Sequence, residues 1–230
     1  MKRQRETPPP SIYTKDYYTS LCFGHREFAQ GELASTFKRT LSYVRPKTGD
    51  RILDVGCGRG EIVKACGIAG AEAVGMDYSS DATMIAQGFV GQGRIFRASG
   101  THLPFATNSF DCVIMLQFVE HLDETDMVSC LAEVRRVLRP KGRLLILTDN
   151  PWHDHYEAFR RLYRWLRYHE SLKAPKTNEE MYHVNVRSPI YWTRLLKTSG
   201  FRRTRVWVYN RPIRRMVEAH RAAGVVLLHD

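Results

Sequence analysis

The chain has 230 residues, 43% of them hydrophobic and 26% charged, with a formal net charge of +11. These values predict a globular domain with a full core, and no apolar run approaches the roughly 20 residues that cross a bilayer. The basic start, MKRQRETPPP, lacks the apolar segment of a secretory signal. Five cysteines without a C-x-x-C pair indicate free thiols and a cytoplasmic location.

The N-terminal region divides at its run of prolines. We expect residues 1–10 to form a disordered arm and residues 11–230 to form a single domain. From residue 51, short apolar runs at 51–56, 71–77, 94–99, 110–117 and 142–149 predict strands, and the segments near 60–68, 79–90 and 123–138 predict helices. This alternation is typical of a parallel sheet with helices on both faces.

The pattern changes after residue 149. Residues 150–187 form an insertion rich in aromatic and basic side chains, followed by a predicted helix (188–199) and strand (201–209), a short helix opened by Pro212, and a last apolar run. One helical stripe of the insertion carries Trp152, Tyr156, Phe159, Tyr163 and Leu166. The stripe fits a lid over an acceptor site, and it equally fits an extra helix packed on the domain.

The basic excess lies in the C-terminal third. Residues 1–150 hold 19 basic and 17 acidic side chains, whereas residues 151–230 hold 16 and 7. This asymmetry indicates either an anionic partner or a basic face that only keeps the protein in solution.

The stretch LDVGCGRGE (53–61) predicts a glycine turn between a strand and a helix. It lacks the Gly-Lys-Ser/Thr of a triphosphate loop, and its third glycine, Gly60, comes one residue too early for a dinucleotide fingerprint. Asp54 and Glu61 flank the turn, where their charge disfavours a phosphate and favours a ligand that carries a cation. Asp77, at the end of the second strand, can accept protons from a ribose diol.

Four blocks in this order resemble the class I S-adenosylmethionine-dependent methyltransferases, in the small-molecule branch that includes quinone-biosynthesis-like enzymes. The blocks are LDVGCGRGE, VGMDYS, LPFATNSFDCVIMLQFVEHL and LAEVRRVLRPKGRLLI, and they span about residues 51–149. The resemblance implies an α/β Rossmann-like fold with a seven-stranded sheet in the order 3-2-1-4-5-7-6, the last strand antiparallel. It also implies S-adenosylmethionine as the cofactor.

The resemblance assigns roles residue by residue. The methionine moiety is expected at Asp54, Gly56, Cys57 and Gly58, and the ribose and adenine at Asp77 and Tyr78. Ser99 and Gly100 should flank the adenine, although many relatives have aspartate where Ser99 stands. The remaining expected contacts are Leu116 and Gln117 at the methyl-donor pocket, and a tyrosine that closes over the cofactor, for which Tyr18 is assigned among Tyr13, Tyr17 and Tyr18.

Three histidines are candidate catalytic bases for the acceptor: His121 in VEHL, His153 just after the fifth strand, and His183 in MYHVNVRSP. A purely structural role for His121 fits the sequence equally well. We predict no metal site, because no further ligand spacing supports the pair His153 and His155.

The acceptor class is less defined. The chain lacks the Asn/Asp-Pro-Pro-aromatic tetrad and the Pro-Cys pair of base-modifying methyltransferases, which disfavours nucleic acid. The stretch HVNVRSPIYWTRLLKTSGF loosely resembles methyltransferases of glycan assembly. We therefore expect a small-molecule, glycan or lipid-linked acceptor, with an anionic group and peripheral contact at the inner face of a membrane. The alternatives are an RNA-directed methyltransferase and a cofactor-binding module without catalysis.

Overall fold

The computed structural model describes residues 6–149, 166–167, 183–208 and 223–229. Most of the predicted insertion, including His153, lies outside the described residues, as does the helix expected to open at Pro212. The strands are β1 (Arg51–Val55), β2 (Glu72–Asp77), β3 (Ile95–Arg97), β4 (Phe110–Leu116), β5 (Leu138–Asp149), β6 (Arg203–Val208) and β7 (Ala223–His229). The helices are α1 (His25–Ala29), α2 (Ser35–Val44), α3 (Glu61–Ile68), α4 (Ser80–Val90), α5 (Glu124–Val137) and α6 (Pro189–Thr198).

The sheet places β1 at its centre. Strands β1 to β5 pair in parallel in the order β3-β2-β1-β4-β5, so the predicted α/β Rossmann-like class with a parallel sheet is confirmed. Beyond β5 the sheet continues with β7 and then β6, and β7 runs antiparallel to both neighbours. The carboxyl ends of β1, β2 and β4 therefore meet at one edge, where parallel α/β sheets bind their ligands.

Two apolar clusters lie on opposite faces of the sheet. Along β4, Val113 and Met115 belong to the cluster that includes α5 and α6, and Cys112 and Ile114 belong to the one that includes α2 and α3. Both faces of a strand are thus buried, which explains why the sequence shows continuous apolar runs instead of alternation.

Two predicted boundaries shift. Strand β3 ends at Arg97, two residues before the predicted end, and the chain leaves the sheet through Ala98 and Ser99. Strand β5 begins at Leu138, directly after α5, and its pairing with β4 shifts register between Phe110 and Cys112. The shift accompanies the turn in RPKG, where Lys141 takes a left-handed φ of 67°.

The N-terminal segment covers the ligand edge of the sheet. A 3₁₀ turn (Pro10–Ile12) and a π-helical turn (Tyr17–Leu21) precede α1, and Tyr13 and Tyr18 pack with Ala82 in a third buried cluster. Within the part of the chain that is described, no helix combines the length and apolarity needed to cross a bilayer.

Candidate active site

A cavity of about 400 Å³ opens at the carboxyl ends of β1, β2 and β4, a size typical of small-molecule sites. All eleven residues that the sequence predicts as cofactor contacts line it: Tyr18, Asp54, Gly56, Cys57, Gly58, Asp77, Tyr78, Ser99, Gly100, Leu116 and Gln117. The candidate bases His121 and His183 line the same cavity, whereas His153 lies outside the described residues.

The three positions of the turn require glycine for different physical reasons. All adopt left-handed φ angles, of 76° at Gly56, 52° at Gly58 and 84° at Gly60. A Cβ at Gly56 would lie 2.4 Å from the Phe118 ring, and one at Gly60 would lie 2.7 Å from Val90, so both glycines are required by packing within the protein. At Gly58 the nearest atom is 3.6 Å away on the Tyr18 ring. Gly58 is therefore the glycine that leaves room beside the cavity.

Asp77 is held by the turn that it faces. Its side chain is buried, its Oδ2 accepts the Gly58 N–H at 3.0 Å, and its Oδ1 accepts the Ser79 N–H at 2.9 Å. Burial raises the pKa of Asp77 to about 6, although these backbone N–H groups oppose the shift. The carboxylate is thus fixed in orientation at the end of β2, as a ribose contact would require.

Asp54 is a buried carboxyl with an incomplete set of partners. It is 3% exposed, and its Oδ1 has no hydrogen-bond partner in the described structure. Burial, followed by the charges of Glu61 and Asp77, raises the pKa of Asp54 to about 8. We call Asp54, Glu61 and Asp77 the acidic cluster. A cationic ligand beside it would favour the ionised form of Asp54.

Arg59 is a buried residue of the site that the sequence analysis missed. It is 2% exposed, and its guanidinium donates to Glu61 Oε1 at 2.6 and 2.9 Å, to the Tyr18 carbonyl at 2.7 Å and to the Phe23 carbonyl at 2.8 Å. Burial raises the pKa of Glu61, and Arg59 opposes that shift. The signal in the sequence is an arginine inside the glycine turn, two residues before Glu61.

The end of β4 forms a further wall. Gln117 has a φ of 51°, a strained value for a residue other than glycine, and its N–H donates to Leu147 at 2.8 Å. Next to it, the Phe118 ring packs against both Gly56 and Gly100, where an added Cβ would lie 2.4 and 2.8 Å from the ring. Phe118 therefore joins the glycine turn to the loop after β3.

His121 and His183 come together through the backbone of Glu120. The Glu120 carbonyl accepts the N–H groups of Val184 and Asn185, which places the His183 ring 5.0 Å from the His121 ring. The buried Glu120 side chain accepts a hydrogen bond from Thr148 at 2.9 Å.

Tyr13 completes this group, because its hydroxyl lies 3.1 Å from His121 Nδ1. We call Tyr13, His121 and His183 the histidine cluster. Ligand atoms of Glu120, His121 and His183 lie within 4.8 Å of one another, so among the described residues this is the group whose spacing suits a divalent ion. The sequence predicts no metal site and gives no sign of this grouping, which the fold creates from distant segments.

Comparisons with known proteins point to one class. The sequence profile of a family described as "Methyltransferase domain" matches residues 53–146. A ubiquinone biosynthesis O-methyltransferase from Mesorhizobium japonicum is 31% identical over 127 residues, 54% of this chain and 50% of that protein. A ubiquinone/menaquinone biosynthesis C-methyltransferase from Teredinibacter turnerae is 35% identical over 125 residues, 48% of this chain and 47% of that protein. The chain thus spans about half the length of these curated relatives.

The solved structures agree on the fold. The crystal structure of an S-adenosylmethionine-dependent methyltransferase from Archaeoglobus fulgidus has a TM-score of 0.64 and 18% identity. The match covers 85% of this chain and 93% of that one, so the shared architecture extends beyond the region that the family profile matches.

Proposed function

We propose that this chain is a class I S-adenosylmethionine-dependent methyltransferase that transfers the cofactor's methyl group to a small-molecule acceptor. The observation that carries the proposal is one cavity lined both by the acidic cluster and by the histidine cluster. The first suits a cofactor that bears an ammonium, a sulfonium and a ribose, and the second offers bases for an acceptor.

The residues around the cavity fit this cofactor. The unpartnered Oδ1 of Asp54 is an acceptor for the ammonium of the methionine moiety, and Asp77 is an acceptor for the ribose hydroxyls. Gly58 leaves the turn open beside them. Tyr78 and Gly100 border the adenine position, and the exposed Ser99 hydroxyl, bonded to Thr101 at 2.9 Å, stands in for the aspartate of many relatives.

When bound, the cofactor supplies a methyl group on a positively charged sulfur, so the departing group is a neutral thioether. The protein's main task is then to align the acceptor and exclude water, and alignment alone contributes up to about 7–11 kcal/mol. Leu116, Gln117 and Phe118 line the cavity and restrict where an acceptor can lie. His121 or His183 takes the proton that an acceptor hydroxyl loses as it is methylated.

The test is methyl transfer from cofactor labelled at the methyl carbon to a panel of phenols, quinols and phosphorylated or lipid-linked acceptors. We expect transfer by the parent, loss of turnover in His121→Gln with cofactor affinity retained, and loss of affinity in Asp77→Ala. Tight cofactor binding without transfer to any acceptor would instead support a binding module. Affinity for RNA with a steep salt dependence would support the RNA-directed alternative.

We further propose an anionic, lipid-linked acceptor for a cytoplasmic enzyme that contacts the inner face of a membrane. The support is the excess of nine positive charges in residues 151–230 and the arginines of the predicted lid at 150–187, whose fork geometry suits phosphate. We also propose that the sheet has the seven-stranded order 3-2-1-4-5-7-6, with its last strand antiparallel. The pairing of β7 with β5 and β6 supports it.

A further inference from the structure

Three side chains at the wall of the cavity form a group that can ligate a divalent ion. One ligand atom each from Glu120, His121 and His183 lies within 4.8 Å of the other two. Both imidazole rings line the cavity, with centroids 5.0 Å apart, whereas the Glu120 side chain is fully buried. An ion held by these atoms is therefore bound from the protein interior and from the cavity wall.

The backbone brings the two histidines to the same place. The Glu120 carbonyl accepts two N–H groups of the segment after His183, at 2.8 and 3.0 Å, so this segment is bonded to the residue that precedes His121. Asn185 is 2% exposed, and its side-chain amide lies 3.9 Å from the Met127 sulfur. The segment that carries His183 is thus anchored in the core beside α5.

Two further contacts suit ligation. The Thr148 hydroxyl donates to Glu120 Oε2 at 2.9 Å in a buried position, which orients the carboxylate. The Tyr13 hydroxyl lies 3.1 Å from His121 Nδ1. Side chains that bind a metal are typically oriented by such contacts, a histidine through the ring nitrogen that does not ligate. Thr148 and Tyr13 are therefore placed as orienting residues of a metal site.

We propose that Glu120, His121 and His183 bind one divalent ion of the zinc type. Two imidazole nitrogens and one carboxylate oxygen match the preference of zinc, whereas magnesium and calcium prefer oxygen ligands. An ion about 2.1 Å from each ligand requires ligand atoms about 3.4 Å apart in tetrahedral geometry, so separations of up to 4.8 Å close through small side-chain rotations. Hydrogen bonds that the ligand atoms make without the ion are replaced when it binds, with release of protons.

Three protein ligands leave the fourth position of the ion for a molecule in the cavity, as in catalytic zinc sites. This inference rests on the proposed methyl transfer for its functional meaning, and it narrows the acceptor to a compound with a hydroxyl oxygen. The ion lowers the pKa of that hydroxyl, as it does for bound water, and the proton passes to water. The oxygen then bonds to the methyl carbon, and the electron pair of the broken carbon–sulfur bond stays on the thioether sulfur. With the ion bound, His121 and His183 are ligands, and the ion replaces them as the group that activates the acceptor.

Binding is measured first, without cofactor or acceptor, on the full chain freed of metal by a chelator. Calorimetry with zinc should show one ion per chain, and thermal unfolding should move to higher temperature as zinc is added. With cobalt as the probe, the visible spectrum should be that of tetrahedral nitrogen and oxygen ligation. It should lack the charge-transfer bands that ligation by any of the five cysteines would add. No binding, or an ion ligated by sulfur, would overturn the proposal.

Variants locate the ion. His121→Gln and His183→Gln should each weaken zinc binding by more than the about 10- to 100-fold that loss of an orienting partner costs. If His121→Gln does not fold, His183→Gln decides. The matched control His102→Gln, which removes an exposed histidine, should keep the parental affinity, as should the double variant His153→Gln with His155→Gln. Parental affinity in His183→Gln, or a loss confined to the double variant, would overturn the proposal.

Turnover separates the ion from the reaction. With an identified acceptor, chelator-treated protein should lose most of its methyl transfer and recover it when zinc is restored, while affinity for S-adenosylmethionine stays near the parental value. Equal transfer with and without zinc would overturn the role of the ion and leave the proposed methyl transfer intact. Zinc bound at this site without transfer to any acceptor would support the metal site and count against the proposed function.

Discussion

The acidic cluster and the histidine cluster line one cavity but are assembled from very different stretches of chain. Asp54, Glu61 and Asp77 come from two adjacent parallel strands and the first residue of α3, within 24 residues. The contact between Tyr13 and His121 joins positions 108 residues apart, and His183 comes from the end of the insertion. The first cluster is a local product of β-strand register, whereas the second exists only once the N-terminal segment and the end of the insertion have docked.

This difference suggests how the two clusters can change. The acidic cluster is constrained by the central strands, so its side chains cannot move without disturbing the core. The histidine cluster depends on segments attached at the edge of the cavity, which can vary without loss of the fold. The comparisons are consistent with this division, since one relative is named an O-methyltransferase and another a C-methyltransferase, while the family profile matches a region that includes the glycine turn.

The largest effect should come from Arg59, which ties the acidic cluster to the N-terminal segment. Arg59→Ala leaves Glu61 buried without its cation and should lower the free energy of unfolding by about 3–5 kcal/mol. Denaturant unfolding measures this. The paired variant Arg59→Met with Glu61→Leu removes both charges and should recover most of the loss. An equal loss in the single and the paired variant would show that the ion pair is not the cause.

The next effect distinguishes the ammonium contact from the ribose contact. Asp54→Asn should weaken binding of S-adenosylmethionine by about 1.5–3 kcal/mol, the range for hydrogen bonds to charged groups. Binding of 5′-methylthioadenosine, which lacks the amino-acid moiety, should stay near the parental value. Calorimetry with both ligands measures the difference. An equal loss of affinity for the two ligands would show that Asp54 does not contact the ammonium.

The same substitution should change how stability depends on pH. The folded pKa of Asp54, about 8, lies above its unfolded value of about 3.9. Its contribution to stability is therefore present at low pH and is lost as the pH rises through 8. In the absence of ligand, Asp54→Asn should be more stable than the parent at pH 9, with a smaller advantage at pH 6. Thermal unfolding at both pH values tests this, and an advantage that does not grow with pH would contradict it.

A somewhat smaller effect is expected at the ribose. Asp77→Ala should weaken both S-adenosylmethionine and 5′-methylthioadenosine by roughly 1–3 kcal/mol, because the ribose is common to the two ligands. If the folded variant keeps its affinity for 5′-methylthioadenosine, Asp77 does not contact the ribose.

The smallest effect per residue concerns the predicted lid. Replacing Arg160, Arg164 and Arg167 together by Gln should reduce binding to anionic vesicles by up to about 1 kcal/mol per charge, and the difference should shrink as salt rises. Affinity for S-adenosylhomocysteine should not change. Neutral vesicles and a triple variant at Lys38, Arg39 and Arg45 serve as controls. If the triple lid variant binds anionic vesicles at low salt as well as the parent does, the basic face is only a solvated surface.

The sequence could predict the acidic cluster because its determinants are local. A glycine turn after an apolar strand, and an acid at the end of the next strand, have fixed spacings that the parallel sheet converts into proximity. The histidine cluster had no such spacing: His121 and His183 were each found as isolated candidates, and nothing in the sequence indicated that the Glu120 carbonyl would join them. The same reason hid the hydrogen bond that the Tyr78 hydroxyl donates to the Pro8 carbonyl, since a contact across 70 residues leaves no periodic pattern.

Arg59 has a consequence for biosynthesis. Its two backbone partners, the carbonyls of Tyr18 and Phe23, leave the ribosome before Arg59 does, so the N-terminal segment has no anchor until the glycine turn has been made. The anchor is also lost when the segment is cut away, since the guanidinium would then be exposed with two of its hydrogen-bond acceptors missing. A shortened chain that starts near α2 would therefore change the cofactor site itself.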